Sequence, residues 1–120
     1  MIIDDEPLVL RLAKYTLEKN GYTVHAFDNP VDAVAFYREK REGVDLVVLD
    51  MVMPDMDGVA VLKSLHALNP RVRAVLCSGY NQDSQAKDLA PLGVCGMIQK
   101  PFDTMELLAG VSRALAEPAA

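Results

Sequence analysis

The chain has 120 residues, 51% of them apolar, with a formal net charge of −5 and a pI near 4.9. That length points to one domain, residues 1–120, which can bury roughly 60–70% of its unfolded surface without disulfides or a structural metal. The acidity, with basic residues scattered and the Arg38–Arg41 cluster broken by Glu39, argues against direct nucleic-acid binding. No apolar run approaches the ~20 residues of a membrane span, and no signal peptide precedes the first strand.

Apolar runs alternate with amphipathic stretches along the whole chain. Met1-Ile2-Ile3 is a short first strand, with so little before the acidic pair that it reads as truncated at its N-terminus, a piece of a longer chain. After Asp4-Asp5-Glu6, Pro7 suits a first helical turn, and Leu8, Leu12 and Tyr15 recur at helical spacing until Asn20-Gly21. Tyr22 to Phe27 has the mixed polarity of an edge strand. Asp28-Asn29-Pro30 starts a second helix, with Val31, Val34 and Ala35 marking its buried face and Gly43 closing it.

The run from Asp45 to Asp50 is nearly all apolar, as expected of a central strand covered on both faces. An irregular loop, Met51 to Gly58, follows, and in it Asp55 and Asp57 suit turn and helix-start positions. Val61, Leu62, Leu65 and Leu68 then form a helix stripe that Asn69-Pro70 stops. Ala74 to Ser78 is a strand, Ser84 to Ala90 a weak polar helix, and Gly96 to Gln99 the last strand. Asp103 can cap a final helix whose Leu107, Leu108, Val111 and Leu115 face inward, leaving Glu117 to Ala120 as a frayed end. Cys77 and Cys95 have no CxxC spacing and no nearby His pair, so they read as small buried hydrophobes in a reducing, cytoplasmic setting. His25 and His66 lack metal-ligand partners and read as structural or surface residues. Alternating βα units favour a parallel sheet with helices on both faces, and these stripes suffice for its core.

Asp4-Asp5, Asp50, Ser78 and Lys100 each close one of these apolar runs. Parallel strands place them together at one edge of the sheet, where open α/β folds hold their ligands. Three carboxylates there raise one another's pKa unless a cation intervenes. A hard divalent ion such as Mg²⁺ takes one or two carboxylates and keeps other positions for water and phosphate oxygens. Lys100 then supplies a point charge, Ser78 a hydroxyl donor, and Asp50 a carboxylate nucleophile able to form an aspartyl-phosphate.

These elements resemble the receiver domain of two-component response regulators over essentially the whole chain. The resemblance rests on Asp4-Asp5-Glu6, the strand leading to Asp50, Met53-Pro54-Asp55-Met56-Asp57-Gly58, Ser78-Gly79 and Lys100-Pro101-Phe102, in order. It implies a doubly wound α/β fold, flavodoxin-like, whose five-stranded parallel sheet has the order 2-1-3-4-5. It also implies a phosphorylation-dependent signalling switch in which Asp50 accepts the phosphoryl group of a phospho-His. The donor would be a histidine kinase or a histidine phosphotransfer domain. Asp5, Asp50 and the backbone carbonyl of Val52 would bind Mg²⁺ (or Mn²⁺), Asp4 would act through water, and Lys100 and Ser78 would contact the phosphoryl group. Ser78 would shift on activation, the Lys100-Pro101 bond is similar to one that is cis in the family, and a phosphorylation-linked dimer is a further expectation.

Three positions depart from the family pattern. Met97 stands where an aromatic rotamer switch is usual, so the readout there would be Met repacking. Val52 and Tyr80 stand where side chains influence the attacking water, and an apolar Val52 beside a bulky Tyr80 is expected to prolong the phosphorylated state. Two other readings compete: a receiver-like binding module that is never phosphorylated, and a small Mg²⁺-dependent aspartyl phosphatase. The phosphatase pattern usually has a second Asp two residues after the nucleophile, where this chain has Val52. The Cys77-Ser78-Gly79-Tyr80 and Gln99-Lys100-Pro101-Phe102 runs resemble receivers attached to hybrid sensor kinases. The domain is expected either to act alone by binding or to be part of a larger protein.

Overall fold

Short β-rich runs with apolar residues at every position can be satisfied only by burial on both faces, and the computed structural model places them so. The structure describes residues 1–53, 56–78, 89–100 and 102–116, with the side chains of residues 52, 53, 56, 57 and 78 outside that description. Among the described residues the strands of the main sheet are β1 (Ile2–Ile3), β2 (Ala26–Phe27), β3 (Val47–Asp50), β4 (Ala74–Ser78) and β5 (Val94–Gln99). They form one parallel sheet in the order β2-β1-β3-β4-β5. The helices are α1 (Pro7–Lys19), α2 (Pro30–Lys40), α3 (Gly58–Leu68) and α4 (Thr104–Ala116).

Register follows from the two-residue period of a strand. Ile3, Leu49 and Leu76 point to one face and pack with Ala33 and Tyr37 of α2 and Val61, Leu62 and Leu65 of α3. Ile2, Val48, Val75, Cys77 and Ile98 point to the other, against Ala13 and Leu17 of α1 and Leu107, Val111 and Ala114 of α4. Each fully buried Leu or Val side chain contributes about 1.5–3 kcal/mol, so the two layers hold the sheet edge in place.

Local signals end the helices where expected. The Asn29 side chain caps α2 by accepting the Asp32 N–H at 2.9 Å. Asp103 and Glu106 cap α4 reciprocally, with Glu106 N–H donating to Asp103 Oδ1 at 2.7 Å and Asp103 N–H to Glu106 Oε1 at 3.3 Å. Past α1, Gly21 takes a φ of 93°.

The structure corrects the expected elements in several places. Leu8 is 79% exposed, and Leu12 and Tyr15 also face solvent, while Ala13, Thr16 and Leu17 bury the helix. In α2, Val31 is 75% exposed and Ala35 is exposed, while Ala33 and Tyr37 are buried. Small residues let a helix lie close on the sheet, so the buried face there is not the one with the largest aliphatic side chains. Strand β2 is shorter than expected, and β5 starts two residues earlier, at Val94. Within the expected irregular loop, Val52–Met53 pairs antiparallel with Met56–Asp57. Near the expected polar helix, Ala90–Leu92 is a 3₁₀ turn. Residues 84–88 and 117–120 lie outside the described residues, as do Pro54, Asp55, Gly79, Tyr80 and Pro101.

Candidate phosphoacceptor and metal site

Four strand ends build the site. Asp4 and Asp5 leave β1, Asp50 ends β3, Ser78 ends β4 and Lys100 follows β5, all at the carboxyl edge of the sheet. Parallel pairing sets their heights, with Asp50 opposite Cys77 and Ser78 opposite Gln99. The backbone fixes the acidic pair locally. Asp4 N–H donates to Phe27 O at 3.1 Å, and Glu6 N–H donates to Asp4 Oδ1 at 2.9 Å.

The carboxylates converge strongly. Oxygens of Asp4, Asp5 and Asp50 lie within 4.8 Å of one another. The side chains of Asp4 and Asp50 are 5% and 1% exposed, so their mutual repulsion is poorly screened. Lys100 answers part of it. Its Nζ lies 3.1 Å from Asp4 Oδ2, 3.2 Å from Asp50 Oδ2 and 3.7 Å from Glu6 Oε1. Burial alone would lower the Lys100 pKa, but the Asp4 hydrogen bond and the charges of Asp50 and Asp4 outweigh it, and the net shift is upward. The ammonium therefore remains charged well beyond neutral pH.

One atom of the acidic group has no such answer. Asp5 Oδ1 is buried without a hydrogen-bond partner among the described residues. A carboxylate oxygen left so, beside two further carboxylates, fits a hard divalent cation with oxygen ligands. Asp4, Asp5 and Asp50 are the residues present that could hold it.

The structure thus brings together Asp4, Asp5, Asp50 and Lys100 as their positions in the sequence predicted. It puts Ser78 at the end of β4 and Val52 just beyond β3, their side chains outside the description. Met97 is half-buried in β5 opposite Leu76, packed against the core layer of α2 and α3. Sequence reasoning used Glu6 only as part of a motif and gave its side chain no role. Its signal was a third consecutive acid directly before the helix-opening Pro7. Cys77 sits beneath the site, and burial pushes its thiol up to about 12, with Lys100 opposing and the carboxylates of Asp50 and Asp4 reinforcing the shift.

Comparison with known proteins agrees with this fold. Residues 1–112 match the model of the response regulator receiver domain family. The chain belongs to that family. It is 34% identical over 116 residues to the chemotaxis protein CheY of Bacillus subtilis, covering 96% of this chain and 95% of that one. It is also 34% identical over 115 residues to the sensor kinase CckA of Brucella abortus, with 96% of this chain matched but only 12% of the kinase. Among solved structures, the receiver domain of NtrX from Brucella abortus superposes with a TM-score of 0.85 at 25% identity, over 98% of both chains. As a receiver domain the chain is a phosphorylation-dependent switch of two-component signalling. Receiver domains generally bind Mg²⁺ at an acidic pocket, and receiver relatives interact with histidine kinases and phosphotransfer proteins. No helix among the described residues is long and apolar enough to cross a membrane.

Proposed function

We propose that Asp50 is the phosphoryl acceptor, and the observation that carries this is its shared contact with Lys100 and the acidic pair. Asp50 Oδ2 lies 3.2 Å from the Lys100 ammonium, inside a carboxylate group with an unanswered oxygen on Asp5. In the transfer, an Asp50 oxygen forms a bond to phosphorus as the phosphorus–nitrogen bond of a phospho-His breaks. The bonding pair returns to the imidazole. Lys100 and the Ser78 hydroxyl take up phosphoryl oxygens, so the residues contribute mainly position and charge neutralisation. Asp5, Asp50 and the Val52 carbonyl would hold Mg²⁺, or Mn²⁺ in its place, with Asp4 acting through water. Bound there, the cation neutralises charge on the carboxylates and on the phosphoryl oxygens.

The phosphodonor is a histidine kinase or phosphotransfer domain acting in the cytoplasm, and Ser78 and Met97 respond to the phosphorylated state. With a net charge of −5, the domain passes its signal on through protein contacts, a phosphorylation-linked dimer among them, and not through nucleic acid. The similarity to CckA supports a place for such a domain within a sensor kinase.

Incubation with Mg²⁺ and acetyl phosphate, followed by intact mass measurement, tests the assignment. One phosphoryl mass increment on the wild type and none on Asp50→Asn is the expected result. An adduct of equal yield on Asp50→Asn overturns it.

A further inference from the structure

The Lys100 ammonium has three hydrogens, and three carboxylates stand around it. Two of them, Asp4 at 3.1 Å and Asp50 at 3.2 Å, are nearly fully buried. The third, Glu6 at 3.7 Å, has a side chain 61% exposed and so lies at the mouth of the site. Its backbone is fixed at that mouth. Glu6 is the N-cap residue of α1, its N–H bonds Asp4 Oδ1 at 2.9 Å, and its carbonyl accepts the Leu10 N–H at 3.0 Å.

An incoming phosphoryl group needs a hydrogen of that ammonium. The Glu6 ion pair, at 3.7 Å beyond hydrogen-bond distance and the best solvated of the three, yields most readily, because releasing Asp4 or Asp50 leaves a buried carboxylate without its cation. Glu6 thus stands beside Lys100 as a partly exposed negative charge at the mouth of the site.

We propose that Glu6 is a specificity-determining residue that disfavours dianionic acyl phosphates and favours donors whose phosphoryl group leaves a protonated nitrogen. This deepens the acceptor reading of Asp50 and rests on it. A dianion such as acetyl phosphate meets the Glu6 carboxylate as a like charge. Phosphoramidate at neutral pH carries a protonated nitrogen and one net negative charge, so the repulsion is smaller and the nitrogen can donate to Glu6. In the first case the phosphorus–oxygen bond breaks and acetate departs with the electron pair. In the second the phosphorus–nitrogen bond breaks and ammonia departs. In both, the new bond is between phosphorus and an Asp50 oxygen.

The test compares wild type with Glu6→Gln, which keeps the shape, the backbone bonds and an acceptor oxygen but removes the charge. Phosphorylation rates with acetyl phosphate and with phosphoramidate are followed by intact mass at fixed Mg²⁺, after thermal melting confirms equal folding. The substitution is expected to speed acetyl phosphate about twofold to fivefold, the scale of one partly exposed charge interaction, and to leave phosphoramidate unchanged or slower. The wild-type preference should shrink in about 1 M salt, where screening reaches about 3 Å. An unchanged donor ratio, or equal acceleration of both donors, overturns the proposal while leaving Asp50 as acceptor. No adduct on the wild type with either donor overturns both.

Discussion

Lys100 and Cys77 answer the same crowded charges in opposite ways. Lys100 gains from the carboxylates and stays an ammonium, whereas Cys77, sealed beneath them, stays a thiol. The second effect has a stability consequence. The unfolded thiol loses its proton above its ordinary value of 9.0, while the folded one holds it to about 12. The folded state then binds more protons, so stability falls as pH rises through that window, by at most about 1.4 kcal/mol per pH unit. Urea unfolding between pH 9.0 and 10.0, up to the ordinary value of the also-raised Tyr37, should show a shallower decline for Cys77→Ala. The residues two positions after Asp50 and Ser78 in the sequence lead to a second expectation. If an apolar Val52 and a bulky Tyr80 hinder the attacking water, phosphorylated protein should decay more slowly than the double variant Val52→Asn, Tyr80→Glu. Following the mass increment over time decides it, and equal lifetimes would refute the hindrance.

Among the elements, the turn into β5 has the least freedom. Gly93 takes a φ of 104°, and a Cβ there would collide with the Val72 carbonyl oxygen. Its own carbonyl accepts the Ala74 N–H at 2.9 Å, tying β4 to β5. Gly93→Ala should cost at least about 2 kcal/mol, read as a lowered urea midpoint, because both the backbone region and the space are closed to a side chain. Elements of this kind were partly legible in the chain. In α3, Val61, Leu62 and Leu65 are buried as their spacing predicts, and in α4 Leu107 and Val111 are too. The phase of α1 and α2 was not legible, because large apolar residues such as Leu8 and Val31 are exposed while Ala13, Thr16 and Ala33 make the close contacts. The site was read more fully. Acids and a lysine at strand ends need only the strand order to meet, whereas the reach of Glu6 toward Lys100 depends on the helix start that no spacing rule encodes.

At the scale of the whole molecule, three acids at one edge make the folded state carry a local repulsion that a bound cation relieves. Binding to the folded state alone stabilises by mass action, about 2.7 kcal/mol when Mg²⁺ is at a hundred times its Kd. A thermal melt should therefore rise by several degrees with Mg²⁺ in the wild type and by much less in Asp5→Asn, whose neutral amide is a poorer ligand. An equal rise in both would remove Asp5 from the ligand set. The sheet itself has another effect. Neighbouring residues on β3, Val48 and Leu49, belong to different packing layers, one with α1 and α4 and one with α2 and α3. Substitutions in opposite layers that lie more than about 7–10 Å apart and share no partners should therefore change stability additively. Such a molecule can acquire a new partner by redrafting one helical layer at a time, with its phosphate chemistry inherited intact at the edge between them.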